Sequence, residues 1–236
     1  MEIKPLVRFT IGNASNTGFE CLERAIIQIQ KLHHVDVVVC HNCQKDKVAH
    51  LEHVTLFDQS SHADDELPPM GVAWKLYPPR LDINRHEILI DNDIILEERV
   101  PELDQFLQST KHCLMLEGES RTYGRFQKHV PAGLNINSGI YGFPPGFDFG
   151  SYVQLYAGKE WEMNATGTHA SSKTFDEQGL VAFILANQKH IIIPNTTITN
   201  CEKQWIKGSG MHFIGLNRTE SHIPYRAYLQ SKLRIH

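Results

Sequence analysis

Asp91 and Asp93, separated only by Asn92, follow directly on the apolar run Ile88-Leu89-Ile90. Side chains of extended chain alternate, so residues 91 and 93 share a face while Asn92 points away, and two hard oxygen ligands can converge on one divalent cation. Mg²⁺ or Mn²⁺ held there would bridge the acids to a diphosphate. A plainer reading is open as well: Asp91-Asn92 can form a turn after a strand and leave its acids in water. Position is a first clue toward chemistry, because ligands of an open parallel sheet bind outside the carboxyl ends of its strands, but for a DxD taken alone the turn is the simpler reading.

The rest of the chain must supply such a sheet. Leu6 to Ile11 reads as a buried strand ending in the turn Gly12-Asn13. A helix should follow, with Thr17 and Glu20 at capping-box spacing and Leu22, Ala25, Ile26, Ile29 and Leu32 on one face. Val35 to Cys40 is apolar without alternation, as expected of a strand covered on both faces, and Val54 to Phe57 is a third strand. Strand, helix, strand in this order implies a parallel, right-handed unit. The acidic stretch from Asp64 to Pro69 is a loop, and the helical segment from Met70 to about Leu76 stops at Pro78-Pro79. Ile88 to Ile90 is the fourth strand. Beyond it the pattern predicts a helix over Val100–Ser109, strands over Cys113–Leu116 and Leu134–Phe143, helices near Phe149–Ala157 and Phe175–Asn187, and a strand over His190–Ile193.

Bulk properties narrow the function. The 236 residues suffice for one sizeable domain with a full core. A formal charge of -4 offers no basic excess for nucleic acid, so phosphate must be met locally. The opening MEIKPLVRFTIG lacks the apolar core of a signal peptide, and no run approaches the length of a membrane span, which points to the cytoplasm. The sequons at Asn13, Asn164, Asn195 and Asn217 then meet no glycosylating enzyme. Five cysteines at irregular spacing suit reduced thiols. The CxxC of Cys40 and Cys43 has no second ligand pair, and most of the fourteen histidines are surface residues on this reading.

Five blocks, read together, carry a resemblance. Trp74-Lys75-Leu76-Tyr77-Pro78-Pro79-Arg80-Leu81, Ile90-Asp91-Asn92-Asp93, Ile136-Asn137-Ser138-Gly139, Asp176-Glu177-Gln178-Gly179-Leu180 and His212-Phe213-Ile214-Gly215 resemble the nucleotide-diphospho-sugar glycosyltransferases of the GT-A fold, in an order closest to glycogenin-like enzymes. The resemblance implies an α/β architecture with a mixed, mostly parallel central sheet flanked by helices. It further implies one domain over 1–236, with a nucleotide-binding half to about residue 95 and an acceptor-binding half from about residue 96.

Carried over residue by residue, the family pattern makes Asp91, Asp93 and His212 the ligands of Mn²⁺ or Mg²⁺. Thr10, Ile11, Gly12 and Asn13 take base and ribose, with uridine favoured. Lys75, Arg80 and Arg218 meet phosphate or donor sugar; Asn92, Asn137, Ser138, Gly139 and Gly215 complete the donor contacts. Asp176 and Glu177 are the candidate catalytic carboxylates, although both also suit a helix N-terminus, where Thr174 and Glu177 fit a capping box. Trp205 could stack on an acceptor or pack in the core. Thr219 and Glu220 depart from the Pro-Trp that follows the phosphate contact in that family. The implied partners are a nucleotide-sugar donor, a UDP-sugar by preference, and a saccharide or other hydroxyl acceptor, with transfer tilted toward retention. Two other enzyme classes share parts of this pattern: a nucleotidyltransferase on a related fold, and the haloacid-dehalogenase type of phosphatase, in which a strand also ends in DxD. That motif usually opens the chain and is followed by a second acidic pair, neither of which holds here. A catalytically dead sugar-nucleotide binder is a third possibility.

Overall fold

The computed structural model describes residues 3–42, 45–60, 72–160 and 176–233. Strands β1 (Leu6–Ile11), β2 (Asp36–His41), β3 (Thr55–Asp58) and β4 (Glu87–Asp91) form a parallel block, with helix α1 (Asn16–Leu32) crossing from β1 to β2. After β4 come the short β5 (Ile94–Leu96), helix α2 (Pro101–Leu107), β6 (Cys113–Glu117), β7 (Ile136–Phe143), α3 (Phe149–Glu160), α4 (Asp176–Ala186), β8 (His190–Ile193), β9 (Ile198–Asn200), β10 (Gly210–His212) and α5 (Ile223–Leu233). The large sheet has the order β3-β2-β1-β4-β7-β6-β8, in which β7 runs antiparallel to β4 and β6 while β6 and β8 are parallel. A second sheet, β5-β10-β9, stands beside it.

Alternation along each strand feeds two cores. Ile88 and Ile90 join Val7, Phe9, Val37 and Val39 under the buried face of α1, whereas Leu89 points to the other side with Met115, Tyr141 and the apolar residues of α4. Both faces being covered explains why these strands are apolar throughout. On α1, Gly18, Cys21, Leu22, Ala25, Ile26 and Ile29 are buried at three- and four-residue spacing. The cap of α1 is Ser15, whose Oγ accepts the Gly18 N–H at 3.0 Å, and Thr17 lies inside the first turn. The expected pairing of Thr17 with Glu20 is therefore replaced by a cap two residues earlier.

Where other boundaries shift from expectation they do so by one to three residues, the largest being α3, which runs to Glu160 rather than Ala157. The segment before Pro78 is a 3₁₀ helix over Val72–Leu76, and Met70 lies outside the described residues, as does the 64–69 stretch. Strands β5, β9 and β10 and helix α5 were not anticipated from the sequence.

A charged residue sits in the middle of the buried sheet. Arg8, wholly buried in β1, donates to Glu87 Oε1 at 3.3 Å, to the carbonyls of Pro78 at 2.5 Å and Tyr77 at 3.2 Å, and to that of Lys75. Glu87, also wholly buried, accepts from Arg80 Nε at 3.1 Å and from the Leu81 N–H at 2.9 Å. Two guanidiniums thus share one carboxylate at the base of β4 and anchor the 75–80 segment to the sheet. Replacing Glu87 by Ala strands both cations in the interior, and we expect a loss of about 3–5 kcal/mol in urea unfolding, the range for breaking a buried ion pair from one side. A loss under about 1 kcal/mol would mean the cluster has no such role.

Candidate active site

The acids expected to hold a metal are brought to a histidine by strand pairing. Strand β4 ends at Asp91, Asn92 and Asp93 turn, and β5 starts at Ile94. Strand β10 pairs antiparallel with β5 so that His212 faces Ile94, and the Phe213 N–H donates to the Asp93 carbonyl at 2.9 Å. His212 Nε2 consequently lies 3.4 Å from Asp93 Oδ1 and 4.0 Å from Asp91 Oδ2, and one ligand atom from each residue falls within 4.8 Å of the others. A small divalent ion keeps its ligands about 2.1 Å away, which sets ligand atoms about 3–4 Å apart, so these three side chains fit such an ion. Gly139 makes room for the imidazole: a Cβ there would lie 2.7 Å from Asn137 Oδ1, 2.9 Å from Ile94 Cδ1 and 3.1 Å from His212 Cε1.

Electrostatics mark the same spot. Burial raises the Asp91 carboxyl; Lys75 opposes the rise and Asp93 adds to it. Burial acts to lower the His212 imidazole, but Asp93 and Asp91 outweigh it and hold the ring above its ordinary value. Lys75 Nζ sits 2.8 Å from Asp91 Oδ1 and 3.6 Å from Glu177 Oε1. Burial works against its charge, yet Asp91 and Glu177 raise the ammonium well above the usual lysine range. Glu177 is pushed up to about 7, chiefly by burial, which Lys75 partly offsets.

Helix α4 aims Glu177. Gly179 lets the first turn press on the Tyr123 carbonyl, where a Cβ would stand 2.1 Å from the oxygen. Gln178 ties that turn down on both sides, donating to the Thr122 carbonyl at 2.8 Å and accepting the Ser138 N–H at 3.1 Å. Ser138 Oγ in turn donates to Glu177 Oε2 at 3.2 Å. Strand β7 bulges here: Met115 pairs with Tyr141 but Leu116 with Asn137, so the residues from Ser138 to Ile140 leave the β6 ladder.

A cleft of about 500 Å³ opens beside Lys75, Asp91 and Asp93; Ser138, Glu177 and His212 are not part of its lining. Thr10, Ile11, Gly12 and Asn13 line it at the end of β1, together with Lys75, with Asp91, Asn92 and Asp93 at the end of β4, and with Gly215 and Arg218 after β10. Gly215 takes the left-handed conformation, φ +86°, which turns the chain from β10 toward Arg218. Several predicted contacts are placed otherwise. Arg80 lies at the opposite end of β4, where Glu87 and the carbonyls of Phe147, Asp82 and Arg85 bind its guanidinium, so it does not reach the cleft. Asn137 folds back to accept the Gly139 N–H at 2.7 Å. Trp205 packs against the core, with Nε1 3.1 Å from Met211 Sδ. Asp176 opens α4, and its side chain lies outside the described residues, as do Thr174 and Cys43; Cys40 is buried inside β2.

Trp74, Ala14, Asn42 and Asn217 also line the cleft and were missed. The Asn42 amide lies over Gly12, where a Cβ would be 2.6 Å from its Oδ1. Glu220 accepts the Asn16 and Thr17 N–H groups at 3.0 and 3.3 Å, which accounts for an acid at this departure from the family pattern.

No protein-family model and no curated protein sequence matches the chain. Solved structures do. The galactosyltransferase LgtC, in complex with donor and acceptor sugar analogues, superposes with a TM-score of 0.62 at 8% identity over 97% of this chain and 94% of its own. The bifunctional glycosyltransferase WbbM gives 0.57 at 10% identity over 92% of this chain and 47% of that one. Mouse xyloside xylosyltransferase 1 gives 0.51 at 12% identity over 92% and 99%. The chain has the GT-A glycosyltransferase fold. At these identities the likeness is one of architecture.

Filling the space beside His212 tests the metal cluster directly. Gly139→Ala should push the imidazole away and weaken Mn²⁺ binding by about 10- to 100-fold in calorimetric titration, the usual effect of disturbing the support of a metal ligand. Wild-type affinity in that variant would separate His212 from the ion.

Proposed function

We propose that the chain is a metal-dependent glycosyltransferase that moves a sugar from a nucleotide-diphospho-sugar, with UDP as the nucleotide, to an acceptor hydroxyl. The observation that carries this reading is the meeting of Asp91, Asp93 and His212 beside a cleft at the carboxyl ends of β1 and β4. Galactosyl- and xylosyltransferases sharing the architecture support it. Four buried free thiols among the described residues, at Cys21, Cys40, Cys113 and Cys201, support a reducing, cytoplasmic setting. No helix among the described residues is long and apolar enough to cross a membrane.

Bound at the cluster, Mn²⁺ or Mg²⁺ supplies the positive charge that offsets charge building on the leaving diphosphate. Asp91, Asp93 and a neutral His212 would hold it, and mixed oxygen and nitrogen ligation suits Mn²⁺ at least as well as Mg²⁺. Thr10 to Asn13 would take base and ribose, and Arg218 a phosphate oxygen through its planar fork. Lys75 keeps a permanent charge between Asp91 and Glu177 and so restrains both carboxylates. Glu177 Oε2 takes the Ser138 hydroxyl and Oε1 lies 3.6 Å from Lys75 Nζ; in this proposal Glu177 is the carboxylate nearest the reacting sugar. Near a value of about 7 this carboxyl is poised to accept a proton from the attacking hydroxyl in an inverting reaction, or to stabilise an oxocarbenium-like sugar in a retaining one. The order of motifs favours retention. Residues to about 95 form the nucleotide half and the remainder the acceptor half of this proposal.

Asp93→Asn tests it. The variant should keep its circular dichroism spectrum, lose the thermal stabilisation by UDP that depends on Mn²⁺, and hydrolyse UDP-sugars about two to three orders of magnitude more slowly, the scale for losing one preorganised electrostatic group. Unchanged turnover, or UDP stabilisation that ignores Mn²⁺ in the parent chain, would contradict the reading.

A further inference from the structure

The side-chain amides of Asn92 and Asn217 bond to each other in both directions. Asn92 Nδ2 donates to Asn217 Oδ1 at 2.7 Å, and Asn217 Nδ2 donates to Asn92 Oδ1 at 3.1 Å. Asn92 stands between the two acids of the metal loop; Asn217 immediately precedes Arg218. The amide of Asn92 is thus tied to another side chain, and both asparagines line the cleft.

Asn217 is also held from the side of α1. Its Oδ1 rests where a Cβ on Gly18 would lie 2.4 Å away, so only glycine admits it. Its carbonyl accepts the Ser15 N–H at 3.1 Å, and Ser15 Oγ, the cap of α1, bonds to the Leu216 carbonyl at 3.1 Å. An exposed amide pair would contribute little, since water competes for each group, but Asn92 is only 7% exposed and Asn217 is half-buried, so this pair is partly shielded from water.

We propose that Asn92 and Asn217 act as one positioning unit, which fastens the segment carrying Arg218 to the loop carrying Asp91 and Asp93 before any nucleotide binds. The role of the segment as a phosphate clamp rests on the glycosyltransferase reading; the fastening itself does not. Ordering a loop upon binding subtracts from affinity, and a clamp already in register avoids that cost. The unit therefore acts on nucleotide affinity through geometry and touches no reacting atom.

The test is a double-mutant cycle of Asn92→Ala and Asn217→Ala, read by UDP affinity in Mn²⁺ and by hydrogen exchange of the backbone amides of residues 215–220. Each single variant should weaken UDP by about tenfold, and the double variant should also be weaker by only about tenfold, because the second deletion removes a partner already lost. Exchange over residues 215–220 should rise to the same level in all three. Gly18→Ala, whose added Cβ would stand 2.4 Å from Asn217 Oδ1 and 3.0 Å from Ala14 Cβ, should reproduce the loss of affinity and the faster exchange. Losses that multiply in the double variant, or parental exchange in the singles, overturn the positioning unit. Failure of the glycosyltransferase reading looks different: the parent chain then binds no UDP in Mn²⁺, while the exchange pattern still reports whether the fastening exists.

Discussion

Three residues of strand pairing decide whether this molecule has a site. Asp91 and Asp93 are delivered by β4 and the turn after it, but the third candidate ligand comes from more than a hundred residues later, and the ladder between β5 and β10 sets His212 opposite Ile94. The hydrogen bond from the Phe213 N–H to the Asp93 carbonyl fixes the register, and a slip by one residue would turn the imidazole to the other face. Behind β10, Phe213 packs edge-on against Tyr225 of α5 with ring centres 5.2 Å apart, so the C-terminal helix bears on that register.

Charge balance is the second constraint. Asp91, Asp93 and Glu177 gather within a small, largely buried volume, and self-repulsion would scatter them without compensation. Lys75 supplies part of it from between Asp91 and Glu177, and its backbone is gripped by Arg8, whose own charge is balanced by Glu87. The buried ion cluster at the base of β4 and the polar cluster at its tip are thus linked through one short segment, 75–80. In the proposed enzyme the remaining negative charge is what a divalent cation would neutralise, which is consistent with acids kept close together at a cost in desolvation.

Much of this was legible in the sequence. Strand β4 and helix α1 are long enough for their apolar pattern to speak, and Asp91, Asp93 and His212 were named from residue type and motif order. Strands β5, β9 and β10 were not, because three residues are too few to establish any period and their pairing is non-local. Arg80 shows another limit: sequence gives a charge near the motif but not which end of the strand it reaches, and the local sign of its true partner is only the acid Glu87 set directly before an apolar run. Sequence names Asp176 and Glu177 together; the structure places Glu177 against Lys75 and Ser138, beside the anchored Gln178, and the Asp176 side chain lies outside the described residues. Asn217 was visible only as a glycosylation sequon, since an amide pair across 125 positions leaves no local trace.

The central claim is that Asp91, Asp93 and His212 share one divalent ion with the diphosphate of a nucleotide. Anomalous diffraction from crystals grown with UDP and Mn²⁺ tests it most directly. A single manganese peak within coordination distance of all three side chains and of diphosphate oxygens is the expected result. A diphosphate bound in the cleft with no ion among those side chains, or manganese bound elsewhere, would contradict it.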